Sequence, residues 1–399
     1  MKQQINLTIK EQYIKDFKDG YPLITPETIE KLEIVKEEGS LLTLEDNKKR
    51  FIAYAYYGRQ NKGYGWVLSL DKNEKIDVEF FKNKIKKAVE YREDFYNDSS
   101  TTAFRIFNGE GDGIGGLTID YFNEYYMITW YSLGIFSFKD LIVDAFKDVV
   151  KYKAIYEKKR FDAKGQYIDD NGDFVIGEKG EFPIIVKENG VNFAVYLDDG
   201  PMTGIFLDQK VVRKTIRDKY SNNKTVLNTF SYTGAFSVYS ALGGAKKTTS
   251  VDLANRSLAK TSEQFSVNNI DPKTQEIVVA DVFNYFKYAV KNKLLFDMVV
   301  VDPPSFARSK KNTFSVSKDY IKLLKQIIQI TANGGLIVAS TNYANLNMRK
   351  FRDFIEKAFK DLNVGYRIEE VYSLPKDFKV NKKFQEGNYL KVIFVRKIN

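Results

Sequence analysis

The segment Asn228-Thr-Phe-Ser-Tyr-Thr-Gly-Ala-Phe-Ser237 follows the apolar run Thr225-Val-Leu227 and opens the apolar-rich segment Ala235-Phe-Ser-Val-Tyr-Ser-Ala-Leu242. This order predicts a strand, a tight turn and a helix. A glycine at such a turn lets the backbone approach a ligand closely, and the first turn of a helix offers unpaired N–H groups. We therefore expect a ligand site at the end of this strand.

Three further apolar runs end in an acidic residue. They are Thr249-Ser-Val-Asp252, Ile277-Val-Val-Ala-Asp281 and Phe296-Asp-Met-Val-Val-Val-Asp302, and the third continues into Pro303-Pro304. An acid at the end of the second strand of a doubly wound sheet can bind ribose hydroxyls. A single aspartate at a strand end is as often a helix cap, but three at successive strand ends favour one ligand-binding edge.

The region from residue 206 onward alternates between strand and helix patterns. Strands are predicted at 225–229, 248–252, 276–280, 296–301 and 335–341, and helices at 234–243, 254–268, 282–291, 318–331 and 348–360. This alternation predicts a parallel sheet with helices on both faces. Two closing strands near 366–373 and 388–396 are joined by a loop alone, so we expect them to pair antiparallel.

Composition limits the chemistry that is open to this chain of 399 residues. It contains no cysteine and no histidine, which excludes disulfides, thiolate metal sites, a cysteine nucleophile and a histidine base, and no metal is implied. The sequence has neither a run of 18 apolar residues nor a signal-peptide core, so we expect a cytoplasmic protein without a membrane partner.

The net charge of +10 is unevenly distributed. Residues 206–399 carry 33 Lys and Arg against 17 Asp and Glu, whereas residues 1–205 carry 29 against 35. A basic region of this kind favours a polyanionic partner, most simply nucleic acid, over the alternative of a lysine-rich surface.

Residues 1–73 are predicted to form a small β-rich domain. Leu41-Leu-Thr-Leu44 and Phe51-Ile-Ala-Tyr-Ala-Tyr-Tyr57 indicate paired strands, and a basic turn with Arg59 and Lys62 follows them. Four aromatic residues lie beside this turn: Tyr56, Tyr57, Tyr64 and Trp66. They either stack on nucleic-acid bases or fill the core of a small barrel, and the sequence favours neither.

Residues 74–205 are predicted to form a central α+β domain, which contains a glycine motif. Gly111-Asp-Gly-Ile-Gly-Gly116 fits the dinucleotide-binding pattern, but the segments on both sides of it indicate strands. A loop between two strands cannot offer a helix N-terminus to a pyrophosphate, so we interpret the motif as a glycine hairpin. The Asn189-Gly190 pair predicts a second hairpin.

Together these motifs resemble those of class I S-adenosylmethionine (SAM)-dependent methyltransferases. The resemblance rests on five elements: the Asn228–Ser237 turn, Asp252, Asp281, Asp302-Pro-Pro-Ser-Phe306 and Ser340-Thr-Asn342. Gly204-Ile-Phe-Leu-Asp-Gln-Lys210 and Arg105-Ile-Phe-Asn-Gly-Glu-Gly-Asp-Gly113 narrow it to large-subunit ribosomal RNA methyltransferases with an N-terminal PUA domain. It covers nearly the whole chain and is most specific in 204–345.

The resemblance implies an α/β fold with three domains. These are a PUA-like RNA-binding domain at 1–73, a central α+β domain at 74–205 and a Rossmann-like, seven-stranded methyltransferase domain at 206–399. It also implies SAM as the cofactor and 23S ribosomal RNA as the partner, and it leaves a homodimer possible.

The resemblance also implies site residues. The residues expected around the cofactor are Gln209, Lys210, Asn228, Phe230, Ser231, Thr233, Gly234, Asp252, Leu253, Asp281, Val282 and Asp302. Asp252 would hold the ribose hydroxyls, and Asp281 would face the adenine. The residues expected at the target base are Asp302, Pro303, Pro304 and Phe306, with Thr341 in the motif of the fifth strand.

Thr341 stands where the family's cytosine-5 members have a cysteine whose thiolate attacks the ring. A threonine hydroxyl is far less acidic and less nucleophilic, so covalent cytosine-5 methylation is disfavoured here. Related members act on guanine, whose N7 carries its own lone pair and needs only alignment with the methyl–sulfonium bond. An exocyclic amine is an alternative target. This hypothesis is weakened because Ser305 stands in place of the usual aromatic residue.

The segment Ala307-Arg-Ser-Lys-Lys-Asn-Thr-Phe-Ser-Val-Ser-Lys318 is polar and basic and is predicted to be a loop. We expect Arg308, Lys310 and Lys311 to contact RNA phosphates and the loop to help hold a flipped base on Phe306. The alternative is a solvated loop. Two other functions remain open: a non-catalytic RNA-binding or assembly factor, and a methyltransferase with a protein, small-molecule or other non-ribosomal substrate.

Overall fold

The computed structural model describes residues 4–161, 174–200, 203–308 and 313–398. The chain divides into two compact units, each assembled from separate stretches. The N-terminal unit comprises Met1–Val186, Val195–Thr203 and Lys376–Gly387, and the C-terminal unit comprises Lys187–Ala194, Gly204–Pro375 and Asn388–Asn399. The domain boundaries at 73/74 and 205/206 stay predictions. Within the described ranges, no helix is long and apolar enough to span a membrane.

The N-terminal unit contains two five-stranded sheets. The first has the order β1 (Gln4–Thr8), β3 (Leu41–Glu45), β4 (Phe51–Gln60), β5 (Gly63–Ser69), β2 (Leu23–Ile24). The second has the order β10 (Phe174–Gly177), β9 (Ala154–Lys159), β8 (Tyr125–Trp130), β7 (Leu117–Phe122), β6 (Ala103–Asn108). The helices are α1 (Ile14–Lys18), α2 (Val78–Tyr91), α3 (Glu93–Tyr96), α4 (Leu133–Phe136) and α5 (Lys139–Val149).

The aromatic residues beside the basic turn belong mainly to the core. β3 and β4 pair antiparallel as predicted. Tyr56, Tyr57 and Trp66 are buried, so the hypothesis that they stack on bases is wrong for these three residues. Tyr64 points outward with 37% of its surface exposed. Alternation along a strand explains the difference, because Tyr64 follows a buried glycine and precedes residues that face the core.

The glycine motif is a hairpin, as predicted. β6 and β7 pair antiparallel, and a short 3-10 turn at Gly109–Gly111 begins their connection. A buried bidentate ion pair between Arg92 and Asp112 fixes the motif from within, with two N···O distances of 2.7 Å. The Arg92 guanidinium also donates to the backbone carbonyl of Asp377 at 2.7 Å. A Cβ at Gly111 would lie 1.9 Å from the carbonyl oxygen of Lys379, so the motif packs against the 376–387 segment.

The C-terminal unit is built on a seven-stranded sheet. Its order is β15 (Glu276–Val279), β14 (Lys247–Asp252), β13 (Thr225–Thr229), β16 (Phe296–Val301), β19 (Thr331–Thr341), β21 (Lys391–Ile398), β20 (Gly365–Tyr372). The first five strands are mutually parallel, and β21 pairs antiparallel with both β19 and β20. This topology confirms the predicted Rossmann-like sheet with an antiparallel closing pair.

Helices cover both faces of this sheet, so its strands are apolar on both sides. Val299 and Val301 belong to one apolar cluster, and Met298 and Val300 belong to another. Because both faces are covered, the carboxyl edge of the strands is where polar side chains can meet a ligand. The helices are α6 (Lys210–Thr215), α7 (Ala235–Leu242), α8 (Arg256–Ser266), α9 (Val282–Lys291), α10 (Val316–Ile330) and α11 (Met348–Asp361).

Two hairpins complete the structure. β11 (Ile184–Glu188) and β12 (Val191–Val195) flank Asn189-Gly190, whose φ angles of +50° and +80° suit the predicted turn. β17 (Phe306–Arg308) and β18 (Thr313–Ser315) also pair, so the prediction of a loop throughout 307–318 is wrong. The physical reason is that Phe314 and Val316 are buried in the core and anchor β18 and the start of α10.

Candidate active site

The turn between β13 and α7 has an unusual backbone. Phe230, Tyr232 and Gly234 adopt positive φ angles of +54°, +52° and +78°. Two of the three are not glycines, and such residues rarely adopt this conformation, so the surrounding contacts must hold the turn in place. Strain of this kind is concentrated at ligand sites.

Gly234 has a packing role that the sequence did not predict. A Cβ at this position would lie 2.4 Å from Cγ2 of Thr261 on α8. Gly234 is therefore required by its positive φ and by close packing against α8, and it does not line the cavity described below. The place expected for Gly234 at the cofactor stays a prediction.

The acids at the strand ends organise the same edge. Asp252 ends β14, and its two carboxylate oxygens accept hydrogen bonds from the backbone N–H of Tyr232 at 2.8 Å and of Ala254 at 2.9 Å. Asp281 caps α9 by accepting from the N–H of Asn284 at 3.1 Å. Each acid thus fixes the local backbone by hydrogen bonds and still has lone pairs for a ligand. The helix-cap and ligand-binding interpretations are therefore compatible.

A cavity of about 370 Å³ opens at this edge, a size typical of small-molecule sites. The predicted residues that line it are Gln209, Phe230, Ser231, Thr233, Asp252, Leu253, Asp281, Val282, Asp302, Pro303 and Pro304. The lining residues that sequence reasoning did not assign are Ile205, Phe206, Asp208, Arg213, Tyr232, Ala235, Phe236, Phe283, Asn342 and Leu390. Seven of these lie inside the motifs named in the sequence analysis, so proximity to those motifs was the available signal: Ile205, Phe206, Asp208, Tyr232, Ala235, Phe236 and Asn342.

Lys210 and Asn228, two residues expected at the cofactor, lie outside the cavity lining. The Asn228 side chain is buried and donates to Oγ of Ser237 at 3.0 Å, which ties β13 to α7. Lys210 is the buried first residue of α6. Both residues support the elements around the cavity and do not contact its interior.

Two residues expected at the target base also lie outside the lining. Thr341 is fully buried, and its hydroxyl accepts from the backbone N–H of Tyr343 at 3.2 Å, so the geometry argues against a catalytic role. Phe306 stands two residues after Pro304 with 62% of its surface exposed. An exposed ring at that place is available for stacking.

The residues expected to bind RNA fall into two groups. Arg59 and Lys62 are exposed on the β4–β5 hairpin. The Arg59 guanidinium lies 5.9 Å from the ring centroid of Tyr64, which gives an exposed arginine–tyrosine pair. In the second group, Arg308 ends β17, while Lys310 and Lys311 lie outside the described residues. RNA binding by either group stays a prediction.

Asp302 lies in the wall of the cavity in a largely buried setting. Nε2 of Gln209 donates to its Oδ2 at 2.5 Å. The pKa of Asp302 is raised to about 6, chiefly by burial; hydrogen bonding from Ser340 opposes the rise and the carboxylate of Asp208 adds to it. Asp302 is therefore ionised at neutral pH and protonates under mildly acidic conditions.

The charged side chains in the wall of the cavity are mainly acidic. Its four carboxylates are Asp208, Asp252, Asp281 and Asp302. The guanidinium of Arg213 is held by Glu188 through two hydrogen bonds of 2.8 Å, so its charge is already neutralised. Oε1 of Gln209 and Oγ of Ser231 are buried and have no hydrogen-bond partner among the described residues. Such atoms are normally satisfied, so these two indicate a ligand with hydrogen-bonding groups, and the four carboxylates favour one that carries positive charge.

Comparison with known proteins identifies this type of site. A family model described as S-adenosylmethionine-dependent methyltransferase matches residues 154–377, and a PUA-like domain model matches residues 7–70. The second match confirms the PUA-like domain that was predicted for the N-terminal part of the chain.

Full-length relatives agree with these matches. "Putative ribosomal RNA large subunit methyltransferase YwbD" of Bacillus subtilis (strain 168) is 56% identical over 98% of this chain and 99% of its own. Ribosomal RNA large subunit methyltransferase I of Aeromonas salmonicida (strain A449) is 29% identical over 94% of this chain and 95% of its own. The crystal structure of SMU.776, "a putative methyltransferase complexed with SAH", superposes with a TM-score of 0.90 at 38% identity, covering 99% and 100% of the two chains.

The residues of the cavity fit SAM. The unpartnered buried oxygens can accept the hydrogens of its ammonium or hydroxyl groups, and the acidic wall suits its positively charged sulfur. The chain belongs to the SAM-dependent methyltransferase family, and SAM is its cofactor.

Proposed function

We propose that this enzyme methylates a base of large-subunit (23S) ribosomal RNA, with guanine N7 as the favoured acceptor. The observation that carries the proposal is that Asp302, Pro303 and Pro304 line the same cavity as the acids of the cofactor site, beside the exposed ring of Phe306. The names of the full-length relatives and the basic charge of residues 206–399 support RNA as the substrate. The cytoplasmic location and a homodimer stay predictions.

Each part of the cavity has a task in this reaction. When bound, SAM supplies a methyl group on a positively charged sulfur. Asp252 and Asp281 are proposed to hold the nucleoside part of the cofactor, and Ser231 and Gln209 to satisfy its polar groups. Pro303 and Pro304 restrict the backbone beside Asp302, which keeps one geometry for the incoming base. Phe306 is proposed to stack on that base.

The choice of guanine N7 follows from the side chains that are present. N7 has its own lone pair, so the site needs no base to deprotonate it and no nucleophile to activate the ring. The chain has no cysteine for cytosine-5 chemistry, and the Thr341 hydroxyl is buried. The second candidate is an exocyclic amine, because ionised Asp302 is a hydrogen-bond acceptor in the cavity wall.

Asp252→Asn should weaken SAM binding by about 10- to 100-fold, because hydrogen bonds to a charged group contribute about 1.5–3 kcal/mol. The substitution keeps the size of the side chain but removes its charge and one acceptor. Isothermal titration with SAM measures the effect. Asp271→Ala is the matched control, since Asp271 is an exposed capping acid of the same unit that lies outside the cavity lining. A dissociation constant within twofold of wild type would contradict the role of Asp252.

The triple variant Arg308→Ala/Lys310→Ala/Lys311→Ala should bind a 23S rRNA transcript more weakly. The slope of log Kd against log salt should fall by about 2, since each phosphate contact contributes about 0.7 for single-stranded RNA. Filter binding from 50 to 300 mM salt measures both the affinity for the transcript and its salt dependence. Arg352→Ala/Lys357→Ala/Lys360→Ala on α11 removes the same charge from exposed positions. Equal weakening in both triple variants would assign the effect to net charge and reject a specific contact.

The direct test of the proposed function is mass spectrometry of nucleosides from ribosomal RNA of a strain that lacks this gene, compared with its parent. Loss of 7-methylguanosine supports the favoured acceptor. Loss of another methylated base keeps RNA methylation but moves the target atom. Loss of 5-methylcytidine would contradict the argument from the missing cysteine, and an unchanged profile would contradict ribosomal RNA as the substrate.

A further inference from the structure

We propose that Asn342 selects guanine as the target base by donating a side-chain N–H to the carbonyl oxygen O6. The inference rests on the proposed RNA base methylation and deepens it, because it assigns the recognition of the base to one residue. Asn342 follows β19 directly, its side chain is exposed, and it lines the cavity together with Asp302.

The orientation of the Asn342 amide follows from its contact with the target-base motif. Oγ of Ser305 donates to Oδ1 of Asn342 at 2.6 Å. This distance is typical of an O–H···O bond and short for an N–H···O bond, so the amide oxygen faces Ser305. Nδ2 is then left as a donor, and it has no hydrogen-bond partner within the described ranges. Ser305 thereby fixes which group Asn342 can offer to a ligand.

The backbone next to Asn342 is held from both sides. The N–H of Tyr343 donates to Oγ1 of Thr341 at 3.2 Å, and the carbonyl of Tyr343 accepts from Nζ of Lys391 at 3.1 Å. Thr341 and Lys391 are cross-strand partners in the β19–β21 pair, and both are buried. A buried ammonium group is costly unless its N–H groups are hydrogen-bonded. Nζ of Lys391 therefore also donates to the carbonyl of Tyr389, at 2.9 Å. Thr341 and Lys391 are thus positioning residues for Asn342.

The donor at Asn342 separates the two purines. Guanine presents two acceptors side by side, N7 and O6, whereas adenine presents the N7 acceptor beside an amine donor. A donor at Asn342 matches O6 and leaves N7 open to the methyl group. With adenine, two donors would face each other, so adenine is disfavoured at this site.

The first experiment uses the full chain, methyl-labelled SAM and an unmodified 23S rRNA transcript. Asn342→Ala should lower kcat/KM for the RNA about 10- to 100-fold and leave the dissociation constant of SAM unchanged. Asn345→Ala is the matched control, because Asn345 is an exposed amide of the same loop outside the cavity lining, and it should behave as wild type. Wild-type kcat/KM in Asn342→Ala would overturn the inference, and so would weaker SAM binding with an unchanged kcat.

The second experiment tests the base atom. The methylated position is mapped on the transcript, and a fragment is made with 2-aminopurine there, which keeps N7 but lacks O6. Wild type should methylate this fragment at least tenfold more slowly than the guanine fragment, and Asn342→Ala should treat both alike. A mapped base other than guanine, or equal rates for wild type, would overturn the inference while RNA methylation stands. Absence of methyl transfer to any RNA by wild type would instead reject the proposed function.

The third experiment tests whether Thr341 acts through Asn342. Thr341→Val keeps the shape of the side chain and removes the acceptor of the Tyr343 N–H. Alone it should lower kcat/KM about three- to tenfold, and in combination with Asn342→Ala it should cause no further loss. Additive losses would indicate an independent structural role and would overturn the positioning role of Thr341.

Discussion

Asp302→Asn should lower the rate of methyl transfer by about 100-fold or more at pH 7.5 and should leave the protein folded. The carboxylate of Asp302 accepts a hydrogen bond from Gln209 and has further lone pairs for a ligand. The asparagine can accept from Gln209 with its single oxygen, but it then presents N–H groups where the wild type presents acceptors. Loss of one preorganised electrostatic contact of this kind typically costs 10²- to 10³-fold in rate. Single-turnover kinetics with saturating SAM and 23S rRNA measure it.

The pH dependence of the free energy of unfolding of Asp302→Asn distinguishes a functional acid from a structural one. The pKa of Asp302 in the folded protein is about 6, above its ordinary value of 3.8, because burial penalises the charged form. The protonated carboxyl therefore favours folding below pH 3.8, and this contribution is lost as the pH rises through 6. Asp302→Asn should be more stable than wild type by up to about 3 kcal/mol at pH 7.5 and equally stable at pH 3.5.

Asp297, in the strand β16 that directly precedes Asp302, provides the opposite control. Although burial raises its pKa, hydrogen bonds from the N–H and Oγ1 of Thr225 bring the pKa of Asp297 below its ordinary value. Asp297→Asn should therefore lose stability at pH 7.5, and this loss should shrink as the pH falls below about 4. Urea unfolding of the cofactor-free protein at both pH values checks the pair. A loss of stability in Asp302→Asn at pH 7.5 would contradict the assignment of Asp302 as a strained functional group.

Arg92→Met should destabilise the folded protein by about 3–5 kcal/mol, because removing one partner of a buried ion pair leaves the other charge buried and unpaired. Arg92 and Asp112 are both fully buried, and the guanidinium also holds the carbonyl of Asp377. Its loss leaves the Asp112 carboxylate without its counter-charge. Urea unfolding of the full chain measures the free energy of unfolding, and hydrogen exchange of residues 376–387 should show faster opening of that segment.

Lys82→Met is the control for Arg92→Met. Lys82 pairs with Asp148 at 3.0 Å on the surface, where solvent screens the two charges, so loss of this pair should change the stability little. The double variant Arg92→Met/Asp112→Leu should recover part of the stability, because it removes the stranded charge as well. If Arg92→Met costs no more than Lys82→Met, the glycine hairpin does not depend on this ion pair.

Local signals predicted the methyltransferase sheet well. β16 and α9 have the predicted bounds. Each was recognised from residues adjacent in the sequence: an apolar run that ends in an acid for β16, and the capping Asp281 for α9. Three of the four cavity acids, Asp252, Asp281 and Asp302, were found for the same reason, since each lies at the end of a strand of one parallel sheet, whereas Asp208 does not and was missed. β19 begins at Thr331 and not at 335, because it follows α10 without a turn.

Contacts between distant segments were the part that sequence could not provide. Leu390 reaches the cavity directly before β21, which is aligned with β19 by antiparallel pairs that run from Thr341 with Lys391 to Leu336 with Arg396. Likewise, the glycine motif gave no sign that it packs against residues 376–387. A threonine hydroxyl and a glycine backbone can each serve ligand binding or packing. The contacts of Thr341 and Gly234 with their neighbours in the fold cannot be read from the sequence.

Transfer of labelled methyl from SAM to an unmodified 23S rRNA transcript by the purified protein decides whether this chain is an RNA methyltransferase. We predict incorporation of one methyl group per transcript by wild type, recovered as 7-methylguanosine, and about 100-fold slower incorporation by Asp302→Asn. Binding of SAM without any transfer to the transcript would contradict the account, and so would equal rates for the two proteins.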